Sequence, residues 1–105
     1  MLPGAPWLEH SAGVLTLEGH ALDALARRFG TPLYVYSRAA MRAALARYRE
    51  ALGARPHLVC YAVKANPNLA VLQTFAAAGC GFDIVSAGEL ERVLAAGGRA
   101  SEVLF

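Results

Sequence analysis

Lysine is nearly missing from this chain. Of 105 residues only Lys64 is a lysine, whereas arginine stands at positions 27, 28, 38, 42, 47, 49, 55, 92 and 99. Acids are few as well, and the net charge of +2 is too small and too dispersed to argue for nucleic acid or an anionic membrane as partner. No apolar run reaches the length of a membrane-spanning helix. The first ten residues carry Pro3, Gly4, Pro6 and Glu9 where a signal peptide needs a basic patch and an apolar core, so a cytoplasmic chain is expected. Cys60 and Cys80 stand twenty apart with no second pair and no paired histidines, which speaks against zinc and leaves two buried thiols as the expectation. Gly79-Cys80-Gly81 lacks the spacing of a dinucleotide loop.

What remains is a globular composition, 56% hydrophobic and 17% charged, of a size for one domain at most. Val14, Leu15 and Leu17 suggest a brief strand. Leu22, Leu25, Ala26 and Phe29 form one face of a helix that Gly30 stops. Leu33 to Tyr36 reads as a strand, and Ser37 as the N-cap of a helix over 38–52 whose stripe is Met41, Leu45, Tyr48 and Leu52. A strand over 58–63 follows, then Asn66-Pro67-Asn68, with Asn66 and Asn68 as turn or N-cap residues. A helix from about Leu69 to Ala78 buries Leu69, Leu72, Phe75 and Ala76. A strand over 81–86 leads into a helix running to about Ala96, where Ser86 and Glu89 have the spacing of a capping box, and 102–105 opens one more strand.

Strands alternating with helices through short connections mean a parallel sheet flanked by helices. Four strands with no helix after the last amount to less than half of an eight-stranded barrel, which needs about 250 residues. The expected fold class is therefore α/β, the N-terminal part of a parallel (β/α)8 TIM-type barrel, incomplete in this chain. A small open α/β sandwich is the alternative.

Reactive groups in such sheets gather at the C-terminal ends of the strands. Lys64 closes an apolar strand, and unlike arginine it can shed its proton and act as a nucleophile. A Schiff base with a carbonyl cofactor is the chemistry this amine suits; a lysine snorkelling at a strand end is the plain alternative. Alternation puts Cys60, Ala62 and Lys64 on one face and Val59, Tyr61 and Val63 on the other. The same logic sets Gly81, Asp83 and Val85 opposite Phe82, Ile84 and Ser86. Asp83 would be costly to bury unpaired, so it is expected to face Lys64 directly or through a cofactor, or else to serve as a structural hydrogen-bonding group. Glu89 reads as a helix cap rather than a catalytic acid. His10, His20 and His57 have no partner at telling spacing.

Three blocks resemble one family. Tyr61-Ala62-Val63-Lys64-Ala65-Asn66 is similar to the lysine motif of the pyridoxal-phosphate decarboxylases that share the alanine-racemase-type barrel. The stretch from Gly79 to Leu90 resembles their second block as diaminopimelate decarboxylases write it, and Gly30 to Tyr36 fits the family's start. The resemblance implies pyridoxal 5'-phosphate held by Lys64, with Ala62 lining it and Asp83 beside it. It further implies decarboxylation of meso-diaminopimelate to L-lysine by a homodimer when full length. Residues 1–30 would associate with a C-terminal β-domain, 31–105 would form the first βα units, and the remaining cofactor and substrate contacts would lie beyond Phe105. An ornithine- or arginine-type decarboxylase of the same fold is the nearest rival. A non-catalytic barrel homologue acting as a binding module is the rival from another class.

Overall fold

The computed structural model describes residues 2–105. Its contacts divide the chain into a unit ending at Ala40 and a second unit, Met41–Phe105.

The first unit holds an antiparallel meander of three strands, β1 (Leu8–Ser11), β2 (Val14–Leu17) and β3 (His20–Ala21), where one brief strand was expected. Both connections are two residues long. Ala12-Gly13 links Ser11 to its partner Val14, and Glu18-Gly19 links Leu17 to its partner His20. All four turn residues take positive φ, 51° and 79° in the first turn and 49° and 80° in the second, which is the type I′ geometry that matches strand twist. Repeated Xaa-Gly pairs, six residues apart, were the readable signal for this hairpin pair. Thr16, on the central strand, is buried and donates from Oγ1 to the Glu9 carbonyl at 3.3 Å. Ala12 and Glu18 stand where an L-residue with a Cβ is disfavoured. Ala12→Asn and Glu18→Asn should each stabilise the chain by about 1 kcal/mol, read as a higher denaturation midpoint at unchanged slope.

Helix α1 (Leu22–Phe29) lies against β2 and β3 and ends at Gly30, whose φ of 84° and N–H bond to the Ala26 carbonyl complete the expected stop. The stretch from Leu33 to Tyr36 corrects the sequence expectation, since it pairs with no strand. A strand exists through its hydrogen-bonded neighbour, and neither sheet takes this segment in. Its side chains stay exposed, Tyr34 at 84%.

Helix α2 (Arg38–Leu52) begins where Ser37 accepts the Ala40 N–H at 3.0 Å. Leu45 is buried and Met41 and Leu52 are half-buried, but Tyr48, expected on the same stripe, is 66% exposed.

The second unit is built on a parallel sheet in the order β4 (Cys60–Ala62), β5 (Gly81–Asp83), β6 (Val103–Leu104). Helix α3 (Leu69–Ala77) connects β4 to β5, and α4 (Ala87–Ala95) connects β5 to β6. The strand expected over 58–63 is shorter at both ends, and the one over 81–86 stops at Asp83. Alternation nonetheless holds where it counts. Val63, Phe82 and Ile84 turn to the helices, forming with Leu72, Val93 and Ala96 the core. Tyr61 stacks on Phe75 at 4.5 Å between ring centres and meets Phe82 edge-on at 6.5 Å. On α3, Leu72 is fully buried and Phe75 and Ala76 pack against the core as expected, whereas Leu69 is 42% exposed and Val71 and Thr74 are buried in addition.

Candidate active site

The opposite face of the sheet is lined by small residues. Parallel register pairs Cys60 with Gly81 and Ala62 with Asp83, so these four share a side. Gly81 has no room for anything larger. A Cβ there would stand 2.7 Å from the Glu102 carbonyl oxygen, 2.8 Å from Cys60 Sγ and 2.9 Å from Leu58 Cδ2. Glycine thus lets β5 approach its neighbours closely and keeps this face low in front of the strand ends.

Ala62, Asp83 and Leu104 terminate β4, β5 and β6, all on the C-terminal edge. Lys64 is not the last residue of its strand, as the sequence suggested. The ladder stops at Ala62, and Val63–Ala65 form a single 3-10 turn in which Val63 drops into the core at 0% exposure while Lys64 stays exposed. Core burial of Val63 is what tightens the backbone here. Asp83 is also exposed, so no unpaired acid has to be buried, and among the described residues neither Lys64 nor Asp83 enters an ion pair. Ala62 is half-buried and paired in register with Asp83.

The turn carrying Lys64 is fastened from several sides. Tyr61 donates its hydroxyl to the Asn66 carbonyl at 3.1 Å, and Asn66 N–H bonds the Val63 carbonyl at 3.1 Å. Asn66 Oδ1 accepts the Asn68 N–H at 3.0 Å, and Asn68 Oδ1 caps α3 through the Ala70 N–H at 2.9 Å. Arg92 Nε, from α4, donates to the Pro67 carbonyl at 2.9 Å. Both asparagines therefore do the turn and capping work expected of them. Neither Tyr61 nor Arg92 was singled out by its sequence position, because the carbonyls they reach are set only by tertiary folding.

Glu89 is committed to backbone amides. Ser86 Oγ accepts the Glu89 N–H at 3.2 Å, and Glu89 Oε1 accepts the Val85 N–H at 2.6 Å, one residue before the amide a capping box usually serves. The cysteines are free thiols, Cys80 buried and Cys60 half-buried. Desolvation raises the Cys60 thiol above its ordinary value, assisted by the charges of Asp83 and Glu102, and desolvation likewise raises Cys80. Cys80 Sγ donates to the Val59 carbonyl at 3.0 Å. Both thiols are thus held protonated and poor as nucleophiles. A cleft of about 440 Å³ beside β4 is walled by Leu45, Tyr48, Cys60, Tyr61, Ala62 and Phe75 among others, almost entirely apolar. Lys64 and Asp83 are not in its wall. Among the described residues no group of three or more His, Cys, Asp or Glu side chains is placed to hold a metal ion, and no helix is long and apolar enough to cross a membrane.

The C-terminal edge of the sheet thus presents Lys64 on a fastened turn after β4 and Asp83 at the end of β5. Residues 38–105 match the family model described as the pyridoxal-binding domain of pyridoxal-dependent decarboxylases. The chain belongs to that family. Among relatives of this decarboxylase domain, the diaminopimelate decarboxylase of Pseudomonas aeruginosa is 62% identical over 91 residues, covering 87% of this chain and 22% of its own length. That of Pseudomonas fluorescens is 59% identical over 96 residues, covering 91% of this chain and 23% of its own. Among solved structures, the diaminopimelate decarboxylase of M. jannaschii in complex with L-lysine superposes with a TM-score of 0.90 at 34% identity, over 97% of this chain and 25% of that one. The chain spans less than a quarter of the length of these two Pseudomonas relatives. Its fold is the N-terminal part of the alanine-racemase-type barrel, as the motif resemblance implied.

Proposed function

We propose that this chain supplies the lysine-bearing part of a diaminopimelate decarboxylase, a cytoplasmic carboxy-lyase converting meso-2,6-diaminopimelate to L-lysine and carbon dioxide as the last step of lysine biosynthesis. The observation that carries the reading is the 59% and 62% identity to relatives named for this activity, extending through the turn of Lys64 and the strand of Asp83. In the full-length homodimer residues 1–30 would associate with a C-terminal β-domain, and 31–105 would open the barrel.

The roles follow from position. Lys64 would supply the amine that holds the cofactor's aldehyde, and the same amine would serve as base and proton donor. Ala62 lines the cofactor face, where a larger side chain would occupy the ring's place. Asp83, in register with Ala62, would stand beside it. Pyridoxal 5'-phosphate, when bound, supplies the electron sink that accepts the pair left behind as the α-carboxylate departs.

The test is carbon dioxide release by a full-length chain carrying this segment. Turnover of meso-diaminopimelate should exceed that of ornithine or arginine by about a hundredfold or more in kcat/KM, since a site built to pair a distal carboxylate leaves its own polar groups unpaired with substrates that end in an amine or guanidinium alone. Comparable turnover of ornithine or arginine would replace the substrate assignment with the ornithine/arginine-type reading.

A further inference from the structure

The turn of Lys64 and the strand of Asp83 belong to successive βα units, and something has to keep their spacing. Among the described residues, the three side-chain hydrogen bonds given above bear on the turn beyond the helix cap. Two of them, Tyr61 Oη to the Asn66 carbonyl and Asn66 Oδ1 to the Asn68 N–H, stay within residues 61–68. The third comes from elsewhere. Arg92 Nε reaches the Pro67 carbonyl at 2.9 Å, across 25 residues of sequence. Arg92 lies on α4, the helix that Ser86 caps three residues after Asp83. We propose that Arg92 is a positioning residue that sets Lys64 against Asp83, tying the lysine turn to the helix that follows the aspartate strand. The inference rests on Lys64 being the cofactor-bearing amine.

Chemistry explains why arginine suits the place. The Pro67 carbonyl precedes the ladder of α3, in which Asn68 O accepts the Leu72 N–H, and so is open to a side-chain donor. The Nε–H lies one bond beyond Cδ, part way along the side chain, and donates while the rest of the guanidinium stays in solvent. Both groups are at the surface, so a bond of this kind adds modestly to global stability. Its effect is on geometry: displacing a reacting group by about 1 Å costs up to a hundredfold in rate. Glutamine carries its amide nitrogen on Cδ, where arginine carries Nε. Lysine keeps the charge but has a methylene at that place. The two substitutions therefore separate donor from charge.

The experiment uses a full-length chain carrying this segment, with Arg92→Leu, Arg92→Gln and Arg92→Lys alongside Lys64→Ala. Arg92→Leu and Arg92→Lys should lower kcat by about tenfold with little change in KM, and Arg92→Gln should restore it. In cofactor-free protein the amides of Asn66 and Asn68 should exchange hydrogen about tenfold faster in the leucine variant than in the wild type, and at the wild-type rate in the glutamine variant. Arg92→Gln behaving like Arg92→Leu in both measurements, or Arg92→Lys behaving like the wild type, overturns the proposal, as does unchanged exchange in Arg92→Leu. If borohydride still fixes cofactor to Lys64→Ala, the reading on which this rests falls, and the inference with it. If only the Arg92 results fail, Lys64 keeps its role and the spacing is set by other contacts.

Discussion

Lys64→Ala, in a full-length chain carrying this segment, should abolish the cofactor that borohydride fixes covalently to the protein and lower decarboxylation by on the order of a thousandfold or more. Two functions go together in this variant, the covalent hold and the proton transfer, so the loss exceeds that of either. Lys64→Arg should be as inactive as alanine. It retains a positive charge on a stem of similar length, but a guanidinium does not give up its proton near neutral pH and cannot condense with an aldehyde. Reduction with borohydride followed by peptide mass analysis reads the attachment directly. A fixed cofactor on another residue, or activity surviving in Lys64→Arg, would remove Lys64 from the chemistry. Folding should be spared: Lys64 is exposed, so both variants, compared with the wild type in the absence of cofactor, should denature at its midpoint.

Phe82→Ala should have the largest effect on stability, a loss of about 3–5 kcal/mol. The ring is 0% exposed, at the middle of the core formed with Val63, Leu72 and Val93, and meets Tyr61 edge-on. Truncation removes the transfer free energy of the ring and leaves a void that strands on both sides cannot close without giving up their register. The consequence reaches the site, because Phe82 precedes Asp83 and the Phe82–Val103 and Tyr61–Phe82 pairings hold the ends of β5 level with its neighbours. Urea denaturation at unchanged slope reads the loss. Leu69→Ala is the control: at 42% exposure it should cost less than about 1 kcal/mol. Equal costs for the two would mean that Phe82 is not the centre of this core.

Helices and caps were legible because their signals are local. The stop at Gly30, the start at Ser37, the Asn68 cap and the Ser86–Glu89 pair each involve residues at most four apart, and all appear where the sequence puts them. The lysine and aspartate blocks were legible for a different reason: their residue types and order resemble a family, and the family match covers residues 38–105. The strands were less legible. A segment rich in β-formers becomes a strand only when a neighbour offers its amides and carbonyls, which is why Leu33 to Tyr36 stays unpaired and β4 ends before Val63.

By itself, then, the sequence determined the helices, the alternation of strand and helix from β4 onward, the face on which small residues gather and the place of the single lysine in the chain. Tertiary structure decided where the β4 ladder breaks, that Lys64 rides a 3-10 turn beyond it, and which side chains fasten that turn. The physical reason is range. Helical periodicity and capping are satisfied within one or two turns of chain, whereas strand pairing and the bond from Arg92 to Pro67 join groups whose proximity no stretch of the sequence states.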